Sequence, residues 1–350
     1  MEIFPFGRTA DGRRVNRYRL TGSDGASVDV LNYGGIIQSL VVPDRRGRPA
    51  DVVLGFETVA DYEADADYLG ALIGRWAGRI SGAGFELGGV RRPLAANDGP
   101  NHLHGGLRGF NRQLWAAEDE GGALVLTRLS PDGEEGYPGA LSVRVKISFD
   151  EHNRLTLEYE AEADADTVVS LTSHPYFNLS GAGSGDVLGQ QLFIDAEAVA
   201  EIDAALIPTG RLLPVRGTAF DFNALRPIGQ EFPAGGFDHY WALARTPEEQ
   251  REAVARPYLK LPERPAARAV SPATGIELIV FTTEPGLQLY TSGGLHPHKG
   301  KGGASYAPCS GFCLEAQFWP NAVNQPAFPP AILKKGDAYR QITRYAFRKT

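Results

Sequence analysis

Between positions 141 and 149 the chain reads Leu141-Ser-Val143-Arg-Val145-Lys-Ile147-Ser-Phe149, apolar and polar in strict alternation. Successive side chains of a strand point to opposite faces, so this run predicts a strand with one buried and one wet face. Arg154-Leu-Thr-Leu157-Glu-Tyr159-Glu repeats the pattern, and Asp150-Glu-His-Asn153 between them is rich in turn formers. Together they predict a hairpin. Shorter runs of the same kind fall at 27–31, 124–129, 168–171, 276–281, 287–291 and 342–347.

Helical patterning is sparse. Thr58-Val-Ala-Asp61-Tyr-Glu predicts a short helix capped by Thr58, and Thr246-Pro-Glu-Glu249-Gln-Arg predicts another, with Thr at the cap and Pro at the first turn. The stretch 245–272 is charged and Pro-rich and reads as a surface insertion. The chain holds 42 Gly and 24 Pro, which implies many turns and many short elements. No Gly/Ser tract separates the strand runs, so residues 1–350 are expected to form one all-β domain, a sandwich of antiparallel sheets with few short helices.

Composition narrows the function classes. With 35 Lys and Arg against 42 Asp and Glu, the net charge is −7, and a nucleic-acid binder is not expected because phosphate neutralisation needs a basic face. No apolar run is long enough to span a membrane, and the N-terminus lacks the pattern of a secretion signal. Two cysteines, Cys309 and Cys313, rule out a disulfide framework and suit a reducing cytoplasm.

The chemistry sits in four segments. Asn97-Asp-Gly-Pro-Asn101-His102-Leu-His104-Gly-Gly106 is a Gly-rich loop with two histidines. Ser173-His174-Pro-Tyr176-Phe-Asn178 follows a strand, and Gly236-Phe-Asp238-His239-Tyr240-Trp241 joins an acid, an imidazole and two aromatic rings. Glu315 follows the apolar run Gly311-Phe-Cys-Leu314; a carboxylate entering a core needs partners or a raised pKa, and such groups cluster at functional sites. Each has a plainer role open to it: Glu315 as a salt-bridge partner, His174 packed beside a strand end, His102 and His104 bonding turn carbonyls, Asp238 capping a turn, Arg79 pairing with a surface acid.

Six stretches in order resemble the galactose mutarotase (aldose 1-epimerase) family: Asn32-Tyr-Gly-Gly-Ile-Ile-Gln38 through Pro43-Asp-Arg, Gly74-Arg-Trp-Ala-Gly-Arg79-Ile, Asn101-His-Leu-His104-Gly-Gly, Ser173-His174-Pro-Tyr-Phe-Asn-Leu, Gly236-Phe-Asp238-His and Leu314-Glu315-Ala-Gln. The resemblance spans residue 30 to about 330. It implies a β-supersandwich with an open sugar cleft, interconversion of the anomers of a free aldose, and no metal or organic cofactor. It makes Glu315 the base and His174 the acid, and gives Arg79, His104, Asp238 and Gln288 to the sugar's hydroxyls or ring oxygen. The substrate is then a small monosaccharide and the assembly a monomer or homodimer. Opening a cyclic hemiacetal independently requires an acid and a base flanking the anomeric centre. A bell-shaped pH profile follows, its acidic limb assigned to Glu315 and its basic limb to His174.

The chain departs from the family's pattern at Gly78, where Asn is frequent, at Asn321, where Asp is usual, and at Glu284, where Gln is frequent. Tyr176, Trp241 and Trp319 are candidates for a sugar-stacking wall or for core. His296-Pro-His298 resembles a chelate but reads as a solvated loop between Lys and Gly. Two rivals stay open: a hexose-phosphate 1-epimerase, which needs a cationic cluster for the phosphate, and a non-catalytic sugar-binding module, which needs no acid–base pair.

Overall fold

The computed structural model describes residues 1–243, 261–262 and 264–350. Three large antiparallel sheets carry the fold. A nine-stranded sheet runs in the order Ala116–Glu120, Ala123–Ser130, Leu141–Phe149, Arg154–Ala163, Ala338–Lys349, Ile276–Thr282, Ala267–Val270, Gln191–Ile194 and Arg226–Pro227. A five-stranded sheet holds Pro208–Pro214, Ala196–Ile202, Asp238–Leu243, Gly286–Tyr290 and Cys313–Gln317 in that order. Another five-stranded sheet is built from the N-terminal strands Glu2–Arg8 to Pro49–Asp51.

The predicted hairpin is present: Leu141 pairs with Ala163 and Phe149 with Leu155 across the turn. Its alternation decides the packing. Leu141, Val143, Val145 and Ile147 are buried, together with Leu155, Leu157 and Tyr159. They share one core with Leu287, Leu289, Leu314 and Ala316 from the inner face of the second sheet and with Val28, Val30 and Leu40 from the N-terminal sheet. Fully burying one such side chain contributes about 1.5–3 kcal/mol, so this shared core clamps the second sheet from one side. Its other face is left for function.

The run at 168–171 is not one strand. Val168 pairs with Ile332, Ser170 bridges Trp76, and Thr172–Ser173 pairs with Leu72–Ile73. The segment changes partner every two residues, which breaks the ladder although every residue stays buried. The helix capped by Thr58 forms over Val59–Ala64, with the Thr58 hydroxyl accepting from the Asp61 amide. The helix expected at Thr246 lies outside the described residues. Of the 245–272 stretch, Ala267–Val270 is an interior strand of the nine-stranded sheet. Among the described residues no helix is long and apolar enough to cross a membrane.

Candidate active site

Three neighbouring strands of the second sheet form the floor of the site. Their register aligns Tyr240 with Gln288 and Gln288 with Glu315, and aligns Asp238 with Tyr290 and Tyr290 with Cys313. Side chains alternate in a strand. Cys313, Glu315 and Gln317 therefore share the outer face of Cys313–Gln317, while Leu314 and Ala316 enter the core. Gly286, opposite Gln317, has no side chain for a reason: a Cβ there would lie 2.1 Å from the Tyr240 ring. The ring covers that glycine, and the Tyr240 hydroxyl donates to the Gln317 carbonyl at 3.2 Å.

Loops supply the remaining groups. Arg79–Ile80 pairs with His102–Leu103, which sets Arg79 and His104 side by side. The turn after His104 is Gly-rich because backbone passes against backbone: a Cβ on Gly105 would sit 1.8 Å from the Gly74 carbonyl oxygen. The Gly78 amide donates to His104 Nδ1 at 3.2 Å, so the ring's Nε2 carries the proton. His174 follows Thr172–Ser173, and its own backbone bonds to Ala71 and Gly70.

These elements enclose a cavity of about 520 Å³. His174, Glu315, Arg79, His104, Asp238 and Gln288 all line it. The sequence named these six from separate segments, and the fold brings all six together. His174 Nε2 lies 3.5 Å from Glu315 Oε1, with both side chains almost wholly buried. On its other side His174 Nδ1 lies 3.4 Å from Cys313 Sγ. Gln288 Nε2 donates to Asp238 Oδ1 at 2.6 Å, and Arg79 reaches Asp98 at 2.7 Å and Asp238 at 3.6 Å. The surface-acid role for Arg79 and its site role thus coexist.

Burial sets the titration of the pair. It pushes the Glu315 carboxyl well above the ordinary carboxylate range; the Asp238 charge adds to the push and Arg79 opposes it. Burial draws His174 down to about 4. It also holds His104 well below its ordinary value, with His174 next in effect. The uncharged distribution, carboxylic acid and neutral imidazole, carries one proton, the same count as carboxylate and imidazolium.

Other candidates take structural roles. His102 is buried between the Ala95 carbonyl at 2.7 Å and the Tyr137 hydroxyl at 2.6 Å. Trp241 belongs to the shared core, and Trp319 packs on Tyr240 and Phe328; neither lines the cavity, whereas Tyr176 does. Asn321 Oδ1 accepts from the Ser81 amide, which fixes the loop after Arg79. Glu284 sits near Tyr339 rather than in the cavity. His296 and His298 both bond Asp67, at 3.1 and 2.7 Å, so that loop is tied down at the rim. Among the described residues, two groups have donors spaced within 4.8 Å as metal ligands would be: His104, His174 and Glu315, and Asp65, Asp67 and His298.

Two contributors escaped the sequence. Tyr68 packs its ring 4.8 Å from His104 and 6.1 Å from His174, and Gln317 presents its amide from the same strand as Glu315. Gln317 carried a signal, since it stands two residues after Glu315 on the same face. Tyr68 carried none.

The sequence model of a family described as aldose 1-epimerase matches residues 16–346. Galactose mutarotase of Sus scrofa is 44% identical over 337 residues, covering 95% of this chain and 94% of that protein. Galactose mutarotase of Bos taurus is 43% identical over the same shares. Among solved structures, an aldose epimerase homologue from C. elegans superposes with a TM-score of 0.87 at 27% identity, covering 96% of this chain and 99% of that one.

Proposed function

The chain belongs to the aldose 1-epimerase family, and on that premise we propose that it interconverts the α and β anomers of free aldoses such as galactose or glucose in this cavity, with Glu315 and His174 moving the protons. With the pair's one proton on His174, Glu315 takes the proton of the C1 hydroxyl. The O–H electrons form the C1 carbonyl, the bond from C1 to the ring oxygen breaks, and the ring oxygen takes the Nε2 proton of His174. The aldehyde rotates about C1–C2, and reclosure on its other face reverses both transfers. The pair holds one proton throughout. Burial favours the uncharged distribution, so the charged one from which ring opening starts is the minor form of the one-proton pair.

Asp238, oriented by Gln288 and Arg79, offers a carboxylate to neighbouring sugar hydroxyls, and His104 offers its Nε2–H to a sugar oxygen. The single observation that carries this reading is the 3.5 Å approach of two buried groups of opposite function at one cavity.

Two observations weigh against the rivals. A binding module has no use for a buried acid–base pair. Among the described residues, Arg79 is the one Lys or Arg lining the cavity, and it is already paired with two carboxylates, which ill suits a phosphorylated sugar. The free thiols Cys309 and Cys313 suit a cytoplasmic setting.

Polarimetry of freshly dissolved α-galactose and α-glucose tests the assignment. Wild type should accelerate both, and Glu315→Gln should lower kcat by at least about 10²-fold, the usual contribution of a positioned acid or base. Because the protein's own part is proton transfer alone, prolonged dialysis against a strong chelator should leave turnover unchanged. A folded Glu315→Gln variant with near wild-type turnover would refute the mechanism.

A further inference from the structure

Gln317 ends the strand that carries Glu315, and it is fully buried. It lines the cavity, yet neither its Oε1 nor its Nε2 has a hydrogen-bond partner among the described residues. Its backbone, by contrast, is engaged, opposite Gly286 and beneath the Tyr240 hydroxyl. A buried carboxamide left unpaired is expensive, and native structures rarely keep one without a purpose.

The surroundings explain why the described residues supply no partner. Gly78 faces the amide: a Cβ built there would lie 3.1 Å from Gln317 Nε2 and 3.3 Å from Pro320. Gly78 also has a positive φ of 78°. A hydrogen atom and a proline ring thus bound the slot, and neither can pair with the amide. Glu315 Oε2, two residues back on the same face, is likewise buried and without a hydrogen-bond partner among the described residues. Unsatisfied polar atoms therefore repeat along one wall of the cavity, at the spacing of alternate strand residues, roughly 6–7 Å.

We propose that Gln317 is a specificity-determining residue: its carboxamide both donates to and accepts from one hydroxyl of the aldose other than the C1 hydroxyl, and Gly78 keeps the slot open for that hydroxyl. This rests on the mutarotase reading of the cavity and deepens it. Glu315 holds the reacting end of the sugar, and Gln317 checks a second position further along the same strand. A site built to hydrogen-bond a hydroxyl discriminates strongly against a sugar that lacks it, because its own polar atoms are then stranded.

The test compares galactose with its 2-, 3-, 4- and 6-deoxy analogues in wild type, Gln317→Met and Gln317→Glu. Methionine keeps the length of the side chain and removes both polar atoms; glutamate keeps the shape and replaces the amide donor with a carboxyl group. In wild type, one analogue should lose about tenfold or more in kcat/KM through Gln317. In Gln317→Met, galactose should fall by a similar factor, and the ratio of galactose to that one analogue should collapse toward one, while the other ratios stay. If the methionine variant fails to fold, Gln317→Glu should still alter the ratio of galactose to that one analogue while the other ratios stay. A folded variant that keeps every wild-type ratio would overturn the proposal and make the amide a structural group. A wild type inactive on galactose and glucose would instead refute the underlying mutarotase reading.

Discussion

Cys313 Sγ lies 3.4 Å from His174 Nδ1, on the side of the imidazole away from Glu315. Burial holds this thiol well above its ordinary pKa, so it stays S–H and can donate to Nδ1. That puts the proton of a neutral resting ring on Nε2, the nitrogen that faces Glu315; once Nε2 has given its proton to the sugar, the ring carries Nδ1–H and the sulfur accepts from it. When His174 is protonated, the sulfur can accept instead. Cys313 therefore acts as a positioning residue in both states of the ring.

Cys313→Ala should lower kcat by about two- to tenfold, matching a net hydrogen bond of about 0.5–1.5 kcal/mol. KM should hold, and the pH profile should move, because His174 loses its partner. Cys313→Ser restores a hydroxyl that can donate and accept, and should recover most of the loss. An alanine variant with wild-type kcat and an unmoved profile would reduce the contact to packing.

The pH dependence follows from burial and reverses the assignment made from sequence. Activity needs one proton on the pair. At low pH a second proton must enter, and its site is His174, held at about 4 by burial. The acidic limb should therefore lie near 4 and belong to imidazole protonation. At high pH the last proton must leave, and burial together with the Asp238 charge holds it on Glu315 well above the carboxylate range. The two limbs are properties of the pair. An acidic limb in the range 6–7, measured as kcat/KM against pH, would contradict this.

Asp238 is the pivot of the binding side, accepting from Gln288 and facing Arg79. Asp238→Asn keeps the shape but weakens charge-assisted bonds worth about 1.5–3 kcal/mol. KM should rise roughly 10- to 150-fold with kcat less affected. Abolished kcat at wild-type KM would place Asp238 in the chemistry instead.

Arg75 and Arg79 share a motif and do different work. The buried Arg75 guanidinium donates to Ser130 Oγ at 2.7 Å and to the carbonyls of Ser130, Pro131, Pro138 and Gly139 at 2.7–3.2 Å. Burial draws its pKa down to about 10, so it remains charged at neutral pH. Arg75→Met strands these acceptors, each costing about 1–3 kcal/mol when buried and unpaired. Denaturant titration should show a loss of at least about 3 kcal/mol, with kcat/KM per folded molecule largely retained. Unchanged stability would mean that water replaces the guanidinium freely.

What the sequence revealed follows a physical line. The alternation from Leu141 to Phe149 was legible because one strand keeps one pair of neighbours throughout. The 168–171 run was not, because its partners change along it. The six site residues were legible as types in dense polar-aromatic segments. Their roles beyond type were not: Trp241 and Trp319 stand within motifs yet face the core or its margin, and Gln317 looks like an ordinary strand residue until its lack of partners is seen. Those properties depend on what the fold places opposite each side chain. The pH assignment shifts for the same reason, since burial depth is a property of the whole packing.

The alternation of Cys313–Gln317 has a consequence for how errors in folding are handled. Leu314 and Ala316 key the strand into the core, while Cys313, Glu315 and Gln317 occupy the positions between them. A slip of one residue would turn the carboxylate and the amide inward and expel the leucine. The catalytic geometry is therefore proofread by hydrophobic packing: a molecule with this strand misaligned would lose Leu314 and Ala316 from the core and push two polar groups into it. Fidelity of the active site is enforced at the moment of folding, by the residues that never touch the sugar.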